Sequence, residues 1–222
     1  EMLHNFTLIH DDIMDKDTLR HGVQTVHVKW DNDTAILSGD AMLSIAMREL
    51  VKIDDLPNKE KILEVFINGL LAVCEGQALD KEFEKNNDVT LENYLDMINK
   101  KTAALFACSL QLGALVGSSD LQLSEGFAHF GRQLGISFQA RDDMLGVWGL
   151  EKETGKPLAA DIKRKKKSLP IVYALSNVKG DIKSHLLDIY KREVLDDNDV
   201  TDVLSILDSI GAKDYCYNIL QY

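Results

Sequence analysis

The sequence predicts an all-α protein, a single helical bundle. Three observations carry that prediction: apolar residues recur at helical spacing along nearly the whole chain, only 3 of 222 residues are Pro, and residues 102–116 are apolar nearly all round. A segment of the last kind marks a central helix. The other helices are expected to pack around it, with the functional site in a central cavity lined by side chains facing inward from several helices.

The elements follow in order, starting with a helix over residues 1–14. Val26, Val28 and Trp30 then alternate with polar residues and predict a short strand without a partner. Helices are expected next over 33–51, 57–84, 90–117, 124–148, 169–178, 182–194, 199–209 and 213–222. Pro57 suits a first helical position, Thr90 and Ser124 suit caps, and Gly117 and Gly211 suit terminators. The first helix has no cap before it and the last stops while still apolar, so the sequence reads as part of a longer chain. No repeat or linker divides it, so residues 1–222 are read as one domain.

A composition of 45% hydrophobic and 27% charged residues is that of a globular protein. No uninterrupted apolar run reaches the roughly 18 residues that span a bilayer, and no secretion signal opens the chain. No integral membrane segment is therefore expected, and the location is read as cytoplasmic. The formal charge of -11 argues against nucleic acid as a partner, which needs a basic face. Cys74, Cys108 and Cys216 have no zinc spacing and read as buried thiols; none of the 6 His residues is spaced to share a metal with another. Met42, Met47, Phe66, Phe127 and Phe130 read as core.

Two acidic pairs stand apart from this background: Asp11-Asp12 with Asp15 one turn on, and Asp142-Asp143. Each lies inside an apolar helical stretch, where a carboxylate needs a cation, a partner or a proton. Hard oxygen ligands of this kind suit Mg²⁺, which is held by one or two carboxylates together with substrate phosphates. Arg20, Lys101, Lys156 and Lys166 supply cations that would enclose a polyanion such as diphosphate. The residues thus point to chemistry at a diphosphate leaving group.

In sequence order, Asp11-Asp12-x-x-Asp15 with Arg20, Gly39-Asp40, Gly76-Gln77-x-x-Asp80, Lys101-Thr102, Phe138-Gln139-x-x-Asp142-Asp143, Thr154-Gly155-Lys156, Asp161-Ile162 and Lys166-x-Ser168-Leu169-Pro170 resemble the trans-isoprenyl diphosphate synthases, the polyprenyl synthetase family. The resemblance implies the all-α isoprenoid synthase fold and a homodimer packed through helices in the second quarter of the chain. It implies head-to-tail condensation of isopentenyl diphosphate with an allylic diphosphate. Three Mg²⁺ ions on Asp11, Asp15 and Asp142 would bind the allylic diphosphate, with Arg20, Lys101, Lys156 and Lys166 on its outer oxygens. Asp12 and Asp143 complete the acidic motifs, Gln77 joins the substrate site, and Thr102 and Gln139 would stabilise the carbocation.

The chain departs from the family pattern twice. His21 stands where the family has the second Arg of Arg-Arg-Gly, a residue of the isopentenyl diphosphate site, and Gly146 stands where the second acidic motif ends in Asp. These departures bear on an alternative reading, a non-catalytic subunit of a heteromeric synthase. A class I terpene cyclase, the other alternative, would replace the second acidic pair with an Asn/Asp, Ser/Thr and Glu triad. Phe6 and Thr7, upstream of Asp11, are the expected chain-length residues. Phe6 lies about 7 to 8 Å from Asp11 along the helix axis, and an aromatic ring there implies a short product, geranylgeranyl diphosphate with some farnesyl diphosphate.

Overall fold

The computed structural model describes residues 1–53, 58–84, 86, 88–150 and 158–220. Pro57 and Thr154-Gly155-Lys156 lie outside the described residues, so the roles expected of them are not addressed by the structure. The chain divides into two compact units, residues 1–64 and 65–222.

The first unit contains α1 (Met2–Asp15), β1 (Leu19–Arg20), β2 (Val23–Gln24), α2 (Val26–Lys29), α3 (Asn32–Val51) and the start of α4 (Lys59–Phe83). α1 packs along α3. Asp31 caps α3 by accepting from the Thr34 amide at 2.6 Å.

The expected strand at Val26–Trp30 is corrected: those residues open a helical turn, and the strand pairing lies just upstream. Leu19 pairs with Gln24 and Arg20 with Val23. His21 and Gly22 between them have φ of 51° and 76°, the two positive values of a type I′ hairpin turn. The Thr25 amide closes the hairpin on Thr18 O, while Thr25 O accepts from the Val28 and Lys29 amides and starts the turn of helix. Alternation alone could not override that local bonding.

The second unit holds the rest of α4, α5 (Leu91–Ile98), a π-helical turn (Asn99–Ala103), α6 (Ala104–Gly117), α7 (Leu121–Trp148), α8 (Ala160–Lys163), α9 (Leu169–Asn177), α10 (Gly180–Lys191), α11 (Asp197–Ser209) and α12 (Ala212–Leu220). Thr90 caps α5 in a reciprocal box with Asn93, and Gly211 closes α11 at φ 64°. Ser124 is not a cap. α7 begins three residues before it, at Leu121, and is capped by Asp120, whose carboxylate accepts from the Leu123 amide at 3.1 Å, while the Ser124 hydroxyl donates back to Leu121 O.

Apolar packing in this unit forms two clusters, one around Ile162, Ile171, Leu186, Ile189 and Leu207, the other around Tyr94, Ile98, Ala140, Met144 and Leu169. α6 lies against α7 at positions where α7 has no side chain: an added Cβ at Gly131 or Gly135 meets the Ala107 or Ala103 backbone at 2.8 or 2.5 Å. The expectation that 102–116 is buried all round is not met. Along α6 only Ala104, Ala107, Cys108 and Leu115 are buried.

Phe66 is core as expected, whereas Met47, Phe127 and Phe130 are exposed. Cys108 and Cys216 are buried thiols, pushed up to about 11 and about 12 by desolvation, but Cys74 is exposed on α4. By length and composition alone α4 is long and apolar enough to cross a bilayer, with 28% of that stretch buried. Glu64 and Glu75 interrupt its apolar run, which is why a search for an unbroken run passes over it.

Candidate active site

In the first unit the acidic residues occupy the C-terminal end of α1, which Lys16 closes in the left-handed conformation at φ 56°. That end of a helix carries partial negative charge, so Asp11, Asp12 and Asp15 there oppose the dipole and favour a neighbouring cation. Asp12 is buried, and its Oδ1 accepts from Arg20 Nε at 2.7 Å with Nη2 at 2.6 Å. Asp11 Oδ2 lies 3.7 Å from the same Nη2 with its side chain 22% exposed, and Asp15 is exposed. Burial works against the Arg20 charge, but Asp12, Asp11 and Asp17 together hold its pKa above the ordinary value.

Upstream on α1, Phe6 is buried and meets His10 edge to face, ring centroids 4.8 Å apart. His10 in turn has Nε2 3.1 Å from Ile36 O, against α3. The Thr7 hydroxyl is turned back onto its own helix, donating to His4 O at 2.7 Å. His21 is exposed at the hairpin tip, one residue from Arg20.

In the second unit the organising group is Asp143, 1% exposed. Its Oδ2 accepts from Tyr94 Oη at 2.5 Å and from the Leu169 amide at 2.7 Å, and its Oδ1 accepts from Gln139 Nε2 at 3.0 Å and Lys166 Nζ at 3.2 Å. Four donors satisfy a carboxylate that burial would otherwise penalise. The bond to Leu169 also caps α9, where the Ser168 side chain makes no capping bond. Asp142, the preceding residue, is exposed.

Thr102 Oγ1 donates to Gln139 Oε1 at 2.7 Å, so Thr102, Gln139 and Asp143 form one chain of hydrogen bonds. Lys101 Nζ donates to Asp80 Oδ2 at 2.5 Å. The Gly-Gln-x-x-Asp spacing makes this contact possible. The Lys101 backbone sits on Gly76, where an added Cβ would meet Lys101 N at 2.1 Å, and Asp80 lies one turn further along α4, past Gln77. The π-helical turn at 99–103, a rare geometry, sets Lys101 and Thr102 at the head of α6.

Lys166 Nζ is 3.2 Å from Asp143 and 3.8 Å from Asp161. Burial opposes its charge, yet Asp143, Asp161, Asp142 and Asp80 hold its pKa above the ordinary value. In both acidic pairs, then, the second Asp is buried and bound by the protein's own donors, and the first is the more exposed: Asp142 is exposed and Asp11 half-buried. Among the described residues no three His, Cys, Asp or Glu converge as a metal-ligand set. The donor set fits Mg²⁺ all the same, because that ion is commonly completed by water and substrate phosphate around one or two carboxylates.

Comparison with known proteins bears on this arrangement. The family described as polyprenyl synthetase matches residues 1–207. The chain belongs to the polyprenyl synthetase family. It is 39% identical over 207 residues to the short chain isoprenyl diphosphate synthase of Methanocaldococcus jannaschii, covering 93% of this chain and 63% of that protein. It is 45% identical over 190 residues to the geranylgeranyl diphosphate synthase of Saccharolobus solfataricus, covering 84% and 57%. The crystal structure of geranylgeranyl pyrophosphate synthetase from Pyrococcus horikoshii Ot3 superposes with a TM-score of 0.92 at 37% identity, over 99% of this chain and 67% of that one. The chain thus spans about three fifths of the length of those two curated relatives.

Within this member of the polyprenyl synthetase family, the sequence places Asp143 with the catalytic groups, and the structure shows it buried and bound by four donors of the second unit. Sequence reasoning missed Tyr94 as a site residue, for which an aromatic residue on an amphipathic helix gives no signal. Asp80 and Asp161 were visible only as motif letters, without their lysine partners.

Proposed function

We propose that the protein is a Mg²⁺-dependent prenyltransferase that condenses isopentenyl diphosphate with an allylic diphosphate into a short-chain all-trans prenyl diphosphate, geranylgeranyl diphosphate first among them. The observation that carries the reading is the division within each acidic motif: Asp15 and Asp142 are exposed and Asp11 is half-buried beside Arg20, whereas Asp12 and Asp143 are buried and bound by Arg20 and Lys166. Relatives that align over most of this chain, at 39% and 45% identity, carry the corresponding names.

In this reading Asp11, Asp15 and Asp142 hold three Mg²⁺ ions. Bound metal would supply Lewis-acid stabilisation of the departing diphosphate. Arg20, Lys101 and Lys166 add fixed positive charge to the outer oxygens, and Lys156 joins them. The C–O bond of the allylic diphosphate breaks, the double bond of isopentenyl diphosphate attacks the allylic cation, and a proton passes to the released diphosphate. The Thr102 hydroxyl donates its hydrogen bond to Gln139 Oε1, which leaves the hydroxyl oxygen's lone pairs to face positive charge. That pair stabilises the cation without competing for the diphosphate. Gln77 and His21 contribute to substrate binding. The working form is a homodimer in the cytoplasm, and Ile67 and Leu71, exposed on α4 in the second quarter of the chain, fit such an interface.

The test is product analysis after incubation with Mg²⁺, isopentenyl diphosphate and each allylic primer. The reading expects chain elongation to a twenty-carbon diphosphate, abolished by a chelator. Cyclic hydrocarbon products, or no turnover with any primer, would overturn it.

A further inference from the structure

One edge of α1 bears on α3, and a single side chain, His10, makes its polar contacts there. His10 and Phe6 are one helical turn apart, so their side chains share that edge. The Phe6 ring meets the imidazole edge to face, with centroids 4.8 Å apart and planes at 68°. The imidazole is pinned on its other side. Its Nε2 lies 3.1 Å from Ile36 O, and because a carbonyl oxygen only accepts, Nε2 carries the hydrogen and donates it. Asp40 Oδ1 is 3.8 Å from the same nitrogen.

The ring also lies over Gly39, where an added Cβ would come within 2.3, 2.6 and 3.1 Å of Nε2, Cδ2 and Cε1. Three atoms of one rigid ring make that approach, and the ring is held at Ile36 O and at Phe6. His10 thus occupies the space between Phe6 and α3. Asp11, the next residue, projects about 100° further round the helix, on the edge it shares with Thr7 and Asp15 one turn to either side. Phe6 is only 8% exposed, and the imidazole is the aromatic support behind its ring.

We infer that His10 is a positioning residue for product length: it backs the Phe6 ring from the α3 side and so fixes how far a growing prenyl chain advances along α1. The inference rests on the proposed chain elongation and on a chain that ends at Phe6. Without the imidazole a volume opens behind Phe6, whose ring turns into it and lowers the floor. The Gly-Asp pair at 39 and 40 gains a reason with it, since Gly39 leaves room for the imidazole.

The experiment incubates the full chain with Mg²⁺, isopentenyl diphosphate and one allylic primer, and reads the ratio of products longer than twenty carbons to the twenty-carbon product, alongside urea unfolding of each variant. His10→Gln keeps an N–H donor for Ile36 O and removes the ring. It should raise the ratio at least about tenfold, the scale on which an apolar pocket tells chains of different length apart. His10→Leu, which also lacks the ring, takes its place if His10→Gln does not fold. His10→Phe keeps a ring behind Phe6 and removes the donor, so it should unfold at lower urea and leave the ratio within about twofold. In the Phe6→Ala background His10→Gln should add no more than about twofold, because the two residues act through one contact. If His10→Gln leaves the ratio unchanged, if His10→Phe raises it as much, or if the effect of His10→Gln persists in full without the Phe6 ring, the role of His10 is refuted while chain elongation stands. If the unmodified chain forms no prenyl diphosphate, the functional reading itself fails, and the role of His10 with it.

Discussion

At the scale of single residues, Lys167 shows how strongly this protein manages charge next to its site. It is 7% exposed, one residue from Lys166, with its ammonium 4.5 Å from the centre of the Tyr190 ring. Burial, and then Lys165, lower its pKa from 10.5 to about 8. The folded protein therefore releases this proton near pH 8 and the unfolded chain only near 10.5, so between those values the unfolded state binds more protons and stability rises with pH. Below pH 8 the ammonium is buried in its charged form. Urea titrations at pH 7 and pH 10.5 should show Lys167→Met more stable relative to the unmodified protein at pH 7, by about 2 to 3 kcal/mol after allowance for the lost ring contact. That difference should shrink at pH 10.5. A difference independent of pH would mean that Lys167 carries no penalty. A sequence cannot reveal such a group: motif spacing singles out Lys166, but only packing separates Lys167 from the basic residues around it.

At the scale of elements, helices were legible wherever local chemistry and periodicity agreed. Thr90 with Asn93 and Gly211 are cases where a cap or terminator read from the sequence is the one the backbone uses. Ser124 failed because Asp120, a better acceptor four residues upstream, captures the helix start first. The strand expected at Val26 failed because the hairpin bonds of Thr25 leave those residues to wind as a turn of helix. The π-helical turn at 99–103 was invisible, since the sequence there continues a helical pattern and the extra residue per turn answers to the approach of Gly76. α1 carries its own test. Phe6 is buried and held edge to face by His10, which is anchored to α3 at Ile36 O. If the growing chain stops at that ring, Phe6→Ala should lengthen the product by one or more isoprene units, read by chromatography of the dephosphorylated alcohols. Unchanged product length with a stability loss of about 3 to 5 kcal/mol, the size expected for a buried Phe cavity, would leave Phe6 a core residue only.

At the scale of the whole molecule, the family was legible because its motifs occur in order along the chain, and the match over residues 1–207 includes both compact units. What the motifs did not separate is work done on ligands from work done on the fold. Asp142 and Asp143 are adjacent letters in one motif, yet one is exposed and the other is bound by Tyr94, Gln139, Lys166 and the α9 amide. The measurement that tests this division most directly is a paired one, turnover with Mg²⁺ and urea unfolding of Asp142→Ala and Asp143→Ala. Asp142→Ala should abolish turnover with stability within about 0.5 kcal/mol of the unmodified protein, as for an exposed surface change. Asp143→Ala should lose about 3 to 5 kcal/mol, because it leaves the half-buried Lys166 ammonium and Gln139 amide and the buried Tyr94 hydroxyl and Leu169 amide without their acceptor. The account is contradicted if Asp142→Ala keeps near-normal turnover, or if Asp143→Ala unfolds at the same urea concentration as the unmodified protein.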